Sequence, residues 1–500
     1  MPEREGEFGI RAALGASRAR VTQQLVAEST ALTAAGALSG SVVAYWVAHI
    51  ASSVAAPALA AQEYTLLDWR VFGFAATLAL LLGIAFGALP MLLADRSQFA
   101  GPILRAQPGC ARSAAGLLRP MLLVGQAALA LVLLAGSLTM GHTFLRLLDT
   151  DLGFRPDNVV VVSVSLHGTR YQDRHAIGRY YGDVLDRLRN VPGVEAAGGV
   201  RHLPLLNEMY MAGRIRLDSG ATVEPAVTNA VTPGYFETLG TKILAGRDFP
   251  RAGRGAERSV LVNEAFAEQS GLGLAITGRR LTPPGSEASY LIAGVVETTR
   301  TAGPAYPGIA KVYWPADEEP PPNLTFVARV RGKAGDSVAP CRDAVRSVDK
   351  AVALYNVGTL NDRLDEVLAR PRFLTIATLF LGVFALLLAV AGTFGAASQA
   401  VAQRTHEFGL RMALGASYWH IRGMLFRGTV GPVAAGIPVG TWMALAAARY
   451  SEHVIADASP VRLWSCLAAG GLLLAAALLA AWMGSRRIWS IDPSEAVRRG

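Results

Sequence analysis

Charge is scarce in this sequence: Asp, Glu, Lys and Arg together make up 17% of its 500 residues, where an ordinary soluble domain carries about a quarter. Hydrophobic residues reach 52% and the mean hydropathy is +0.33, which excludes a string of ordinary soluble domains. Cysteine is rarer still. Cys110, Cys341 and Cys466 are odd in number and far apart. Only Cys341 falls in the long polar interval described below, so no disulfide can form within that interval, and all three read as unpaired small hydrophobes. No H-E-x-x-H, nucleophile elbow or metal-spaced Cys/His cluster occurs in the chain. The eight histidines are scattered, and His167, His175 and His202 lack the spacing of ligands. "RVRGKAGDS" holds Gly332 and Lys333, but Ala334 stands where a phosphate-binding loop needs Ser or Thr, and that loop's first glycine is missing. Neither an enzyme nor a metal or ATP site is therefore expected in this chain. The charged opening "MPEREGEFGI" is not expected to act as a cleavable signal peptide.

What the sequence does have is long apolar runs. About 20 apolar residues cross a bilayer's hydrocarbon core as a helix, and six stretches qualify, at 25–50, 71–93, 121–140, 373–397, 430–448 and 463–483. The first is diluted at its start by Glu28, Ser29 and Thr30, which places Glu28 at an interface rather than mid-bilayer. The net charge of +9 does not form one patch that would fit nucleic acid. It collects at the ends of the apolar runs, where it sets orientation. Arg11, Arg18 and Arg20 precede the first run, and Arg96, Arg105, Arg112 and Arg119 lie between the second and third. Arg404, Arg411, Arg422 and Arg427 lie between the fourth and fifth, and Arg486, Arg487, Arg498 and Arg499 follow the sixth. The segments 51–70 and 451–462 hold one Arg each. This asymmetry predicts both termini in the cytoplasm and the interval from about 146 to 370 outside it.

That interval reads as a mixed α/β domain. "NVVVVSVSL" at 158–166 is a β-branched run of strand length. Ile177, Tyr181, Val184 and Leu188 then step along one face of a helix, and "NVPGV" ends that helix and starts a strand. A similar unit recurs where Val338, Cys341, Val345 and Val348 line a helix before "AVALYNV". Two strand–helix–strand units predict a ferredoxin-like lobe. Between them "SVLVNEAFAEQ" and "YLIAGVVET" predict a strand entering a helix and a buried strand of an inserted lobe, with "EEPPPNLT" at 318–325 as a Pro-rich loop on that lobe.

One short sequence occurs twice. "EFGIRAALGAS" runs from Glu7 to Ser17, and four hundred residues on, Glu407 to Ser417 reads "EFGLRMALGAS", with nine of eleven residues identical. Glu407, Arg411 and Leu414 fall on neighbouring helical turns, as do Glu7, Arg11 and Leu14, and a Glu four residues before an Arg stabilises a helix by roughly 0.2–0.5 kcal/mol. Gly15 and Gly415 supply a stop or a point of close backbone approach. An interfacial helix resting on lipid tolerates almost any basic amphipathic sequence, whereas a protein pocket demands particular side chains. The repetition therefore predicts docking to a protein.

The repeated motif resembles the coupling helix of FtsX/MacB-type permeases of ABC transporters. "RPMLLVGQAALALVLLAGSLTMGHTFLRLLDTDLGFRPDNVV" resembles the first span and stalk of these permeases. "VTPGYFETLGTKILAGRDF" and "VLVNEAFAEQ" resemble their periplasmic core domain, and "IDPSEAVRRG" at 491–500 resembles their cytoplasmic tail. The nearest likeness is to the large duplicated permeases of acidobacterial type, in which two units of span, external domain, span, coupling helix, span and span are fused.

On that pattern the resemblance implies a membrane α-helical bundle of about six transmembrane helices with a large extracytoplasmic α/β domain. The expected parts are a coupling helix of a first, incomplete unit (1–24), two transmembrane helices (25–94) and a cytoplasmic linker (95–120) whose "ADRSQFAGPILRAQ" replaces the usual tail motif. They continue with a transmembrane helix (121–141), a periplasmic core domain with stalk (142–371), an FtsX-like domain with three transmembrane helices and a coupling helix at 404–420 (372–485), and a tail (486–500). A truncated gene or mis-called start is expected for the first unit in preference to a short native one.

The resemblance further implies a bacterial inner-membrane permease without cofactor of its own. Its ATP is held by a cytoplasmic ATPase, in two copies, that grips Glu7, Phe8, Gly9, Arg11, Leu14 and Gly15 and their counterparts Glu407, Phe408, Gly409, Arg411, Leu414 and Gly415. The implied activity is mechanotransmission for efflux or export, with membrane lipid around the spans, a periplasmic adaptor or effector as further partner, and no nucleic acid. The alternative is an FtsX-like regulator of a periplasmic partner such as a cell-wall hydrolase.

Overall fold

The structure is a computed structural model that describes residues 18–55, 69–93, 114–167, 171, 173–206, 210–249, 258–283, 288–403, 405–454 and 463–486. The chain divides into two compact units, one formed by Met1–Leu145 with Pro371–Gly500 and the other by Arg146–Arg370. Along the chain come α1 (Arg18–Ala55), α2 (Trp69–Leu93) and α3 (Ala114–Leu148). The second unit follows with β1 (Val159–Ser165), α4 (Arg174–Arg189), β2 (Val194–Val200), β3 (Tyr210–Leu217), β4 (Thr222–Val231), α5 (Tyr235–Leu239) and β5 (Ile243–Gly246). Next are β6 (Ser259–Asn263), α6 (Glu264–Gln269), β7 (Arg280–Thr282), β8 (Tyr290–Val296), β9 (Lys311–Pro315), β10 (Asn323–Val330), α7 (Ala334–Val348) and β11 (Ala353–Thr359). The chain continues through α8 (Leu360–Gln403), α9 (Thr405–Ala413), α10 (Tyr418–Val454) and α11 (Leu463–Ser485).

Six of these helices are long and apolar enough to cross a membrane. They extend beyond the apolar runs that announce them, because a helix that leaves hydrocarbon continues with polar residues that water can solvate. At 44 residues α8 is about 66 Å long, twice the hydrocarbon thickness of about 30 Å. At the centre of the bundle lies α3, whose Ala127, Ala130, Leu131 and Leu134 are buried against Ala385 and Ala389 of α8, Val433 of α10 and Cys466 and Leu473 of α11. Small residues let the backbones approach. A Cβ on Gly436 would stand 2.7 Å from the carbonyl oxygen of Val124, and one on Gly440 2.7 Å from that of Ala128.

Polar side chains tie the same helices together. Gln126 Nε2 donates to the Leu388 carbonyl at 2.6 Å, the Ser137 hydroxyl to the Thr378 carbonyl, and the Thr139 hydroxyl to Ser465 Oγ at 3.0 Å. In hydrocarbon, where apolar surface drives no association, such close approach and hydrogen bonding supply the adhesion. Leu379, Phe380, Leu387 and Leu388 of α8 face outward. In the hairpin of α1 and α2, a Cβ on Gly83 or Gly87 would meet the backbone of Thr30 or Val26 within 2.7 Å.

The unit Arg146–Arg370 is built on one sheet whose first four strands run β11-β1-β10-β2, all antiparallel. Numbered in chain order these strands stand 4-1-3-2, the ferredoxin-like arrangement expected from the two strand–helix–strand units. The unbroken β-branched run of β1 has a physical cause: both faces are covered. Val160, Val162 and Val164 point to α4 and α7, joining Ile177, Tyr181, Val184, Cys341 and Val345. The alternating Val159 and Val161 point to the other core, with Phe236, Leu239, Leu261 and Tyr313.

Strands β3 to β9 form the expected inserted lobe, with a third core around Ile215, Val260, Phe266 and Ile292. This lobe shares the sheet, joined through β2 and β4 by the single pair Val200 and Val231. The Pro-rich loop is a correction. It packs on the ferredoxin-like half, where the Leu166 amide donates to the Pro322 carbonyl at 2.9 Å and the Tyr181 hydroxyl to the Pro321 carbonyl. Tyr181 and Leu166 sit in that half's core, and their polar atoms need partners there.

Candidate functional site

The second copy of the repeated motif forms α9, a nine-residue helix between α8 and α10. Its first turn holds Glu407 and its last turn Arg411, which suits the helix dipole at both ends. Arg411 Nη2 meets Glu407 Oε1 at 2.6 Å, with both side chains nearly half exposed. Gly415 ends the helix at φ +92°, a left-handed conformation that favours glycine. The Ala416 amide donates to the Arg411 carbonyl at 2.9 Å and the Gly415 amide to the Met412 carbonyl at 3.0 Å, the paired bonds of a Schellman cap. After four intervening residues the chain enters α10 at Tyr418. The segment 404–420 is thus two elements, and the chain turns at the left-handed Gly415, where the sequence offered a stop.

The motif's residues divide by face. Leu410 is 48% and Leu414 80% exposed, beside the exposed Glu407 and Arg411. Phe408, expected to touch a partner, is 2% exposed, so it anchors the helix to its own bundle. Gly409 lies within α9. Glu7, Phe8, Gly9, Arg11, Leu14 and Gly15 lie outside the described residues, as do Cys110 and the tail motif.

Beside α9 stands an aromatic and cationic cluster. Arg411 Nη1 lies 3.1 Å from Met424 Sδ on α10. The Arg422 guanidinium lies over the rings of Trp419, Phe426 and Trp482 at 5.4, 5.3 and 6.0 Å, and Arg486 over Trp482 at 4.0 Å. Tyr418, Arg422, Trp482, Ser485 and Arg486 line a cavity of about 370 Å³. Cation–π contacts of this kind hold a guanidinium where charge would otherwise be expensive. Sequence reasoning missed this cluster because it joins two helices about sixty residues apart. Part of the signal was present: Trp419, Arg422 and Phe426 follow i, i+3 and i+4 steps, and Trp482 and Arg486 stand four apart.

No group of three His, Cys, Asp or Glu residues that could hold a metal occurs among the described residues. His167 Nδ1 pairs with Asn323 Oδ1 at 2.9 Å across neighbouring strands. Cys341 is buried, and that burial pushes its thiol up to about 11, far from the thiolate a nucleophile needs.

Comparison with known proteins agrees with this division. The family model described as FtsX-like permease C-terminal matches residues 1–98 and 379–493, and that described as MacB-like periplasmic core domain matches residues 127–348. An uncharacterised ABC transporter permease, YknZ of Bacillus subtilis (strain 168), is 35% identical over 88 residues, 18% of this chain. The match spans about a fifth (21%) of that relative's length. The periplasmic region of MacB from Actinobacillus actinomycetemcomitans aligns at 12% identity and a TM-score of 0.30 over 42% of this chain and 92% of that one. A permease-protein domain from Porphyromonas gingivalis aligns at 18% identity and a TM-score of 0.28 over 40% and 91%. With six helices long and apolar enough to cross a membrane and an extracytoplasmic α/β unit, this multi-pass membrane protein is similar to FtsX-like permeases in two segments, to the MacB-like periplasmic core domain over residues 127–348, and to an ABC transporter permease over 88 residues.

Proposed function

We propose that this chain is the membrane subunit of an ABC-type assembly whose ATP is bound and hydrolysed by a separate cytoplasmic ATPase. Two copies of that ATPase grip the levers Glu7–Ser17 and Glu407–Ser417, and closure on ATP moves the spans joined to them. The motion is delivered on the far side of the membrane to the extracytoplasmic unit, which drives efflux or export with a periplasmic adaptor or effector. The chain itself acts as a transporter subunit without catalysis. Both termini lie in the cytoplasm, on the side where the basic residues collect.

One observation carries this reading: α9 holds Glu407, Leu410, Arg411 and Leu414 outward on a capped helix inserted between two membrane-crossing helices. A lipid-resting helix would carry its leucines and its charges on opposite faces. Here a leucine pair and an ion pair share the exposed surface, the mixture that a protein socket reads. Arg411→Glu replaces an ion pair with two acids four residues apart, which weakens the isolated helix by only about 0.4–1 kcal/mol. Leu414→Asp leaves the ion pair alone. Tagged full-length protein purified from its host membrane should bring down vanadate-sensitive ATPase activity, and each variant should bring down at least tenfold less. Undiminished co-purifying activity in both variants would falsify the lever assignment.

A further inference from the structure

An arginine at the edge of a membrane bundle needs a counter-charge, water or an aromatic face. Where α10 begins and α11 ends, Arg422 and Arg486 have aromatic faces. Arg486 lies 4.0 Å from the centroid of the Trp482 ring, and Arg422 stands over Trp419, Phe426 and Trp482. Neither forms an ion pair among the described residues, and Glu407, the acid of neighbouring α9, is taken by Arg411. A guanidinium's donors radiate in its own plane, so one that rests on a ring keeps its N–H edge for another partner. Both arginines border the cavity of about 370 Å³ whose other walls are Tyr418, Trp482 and Ser485. Its lining holds two cations and no anion.

Packing fixes those walls. Tyr418 packs against the buried pair Val401 of α8 and Leu425 of α10. A Cβ on Gly484, next to Ser485, would stand 2.8 Å from the Ala397 Cβ of α8. The buried Ser485 donates its hydroxyl to the Trp482 carbonyl at 2.8 Å. Three close-packed helices thus form the cavity without help from a ligand.

Its depth decides what can reach it. The apolar run of α11 ends at Met483, so Trp482 stands where hydrocarbon gives way to headgroups and Arg486 lies one turn beyond. Leu479, Trp482 and Arg486 follow i, i+3 and i+7 steps, which share one helix face. Leu479 and Trp482 are exposed on it, so this face grades from apolar through aromatic to cationic, as a phospholipid grades from chain to phosphate. Trp419 is exposed at the same end, and such rings favour the bilayer interface.

We infer that the cavity is a phosphate site filled by an anionic phospholipid. The headgroup phosphate accepts from the N–H edges of Arg422 and Arg486, and an acyl chain runs back along Leu479. Basic pockets between membrane helices suit anionic headgroups, and guanidinium forks match phosphate oxygens. The site needs no ATPase and holds on whichever side of the membrane it lies.

The test uses the full-length chain in detergent, stripped of lipid and offered equal amounts of phosphatidylglycerol and phosphatidylcholine, with retained lipid counted by native mass spectrometry. The parent should prefer phosphatidylglycerol, and Arg422→Gln/Arg486→Gln should reduce that preference roughly tenfold. Arg427→Gln, at an exposed position further along α10, should keep it, which separates this cavity from a general attraction of arginines for anionic lipid. Should the double variant fail to fold, Arg486→Gln alone, also at an exposed position, reads the site by a loss of roughly threefold. Excess inorganic phosphate should leave the lipid bound. Equal retention of both lipids by the parent overturns the inference. So does a preference that survives these cavity substitutions, the outcome expected if the chain's own Asp492 or Glu495 supplies the counter-charge. Displacement by inorganic phosphate as readily as by phosphatidylglycerol would assign the site to a soluble anion and overturn it too.

Discussion

At the residue scale the unusual group is Lys311, on β9 and 1% exposed. Its ammonium is held by hydroxyls: Nζ donates to Thr299 Oγ1 at 3.3 Å and to Thr301 Oγ1, and lies 5.6 Å from the centroid of the Tyr313 ring. Burial pulls its pKa from 10.5 down to about 8. A lowered folded-state pKa means that the unfolded chain binds more protons between those two values. Stability contributed at this site therefore rises with pH from about 8 toward 10.5.

Other groups act in the opposite sense, since burial pushes Cys341 up to about 11 and Tyr313 up to about 12, so stability falls as their unfolded thiol or phenol ionises. The comparison of parent with Lys311→Met isolates the lysine. Their difference in unfolding free energy should shift in the parent's favour by roughly 2–3 kcal/mol between pH 7 and 10. A pH-independent difference in thermal or chemical denaturation would show that the buried ammonium keeps an ordinary affinity for its proton. Nearby Asn263 shows how a short sequence can specify a site. Its Oδ1 caps α6 through the Phe266 amide at 3.0 Å and accepts from the Lys311 amide at 2.8 Å, while Nδ2 donates to the Ile309 carbonyl at 2.7 Å.

At the element scale, the two hairpins should respond differently to the same change. Gly436→Leu or Gly440→Leu forces a side chain into the α3 backbone, and overpacking of this kind costs about 1–3 kcal/mol. Gly36→Leu and Gly40→Leu place theirs in open space. Thermal unfolding of the purified protein should drop for the first pair and stay for the second; equal losses would mean that the hairpins are packed alike. The spans and the short helix α9 were legible in the sequence for simple reasons. Twenty apolar residues leave few alternatives to a membrane helix, and nine identities in eleven over a 400-residue offset need a cause. Less could be read where the determinant was tertiary. Helix α8 begins at Leu360, among Asn361, Asp362 and Arg363, thirteen residues before the apolar run that announces its span at 373. Strands such as β5 and β7, four and three residues long, carry too little pattern to register. The cluster of Arg422, Trp482 and Arg486 depended on α10 and α11 lying side by side.

At the scale of the whole molecule, the distribution of arginines makes a claim about sides. Native Cys341 and Cys466 are buried, so once Cys110 is replaced by Ser a surface cysteine can be introduced at either of two positions against a quiet background. With a membrane-impermeant maleimide on intact cells whose outer barrier is opened, Lys350→Cys in the extracytoplasmic unit should be labelled at once. Trp419→Cys, at a position 72% exposed beside α9, should react only after the inner membrane is breached. The reverse pattern would put α9 beyond the reach of any cytoplasmic ATPase.

The Schellman cap at Gly415 also matters mechanically. Only Leu414, Gly415, Ala416 and Ser417 separate α9 from α10, and three of their amides are already tied back into the helix they follow. A hinge this short has almost no play, so any tilt forced on α9 is passed to α10 before the backbone can absorb it.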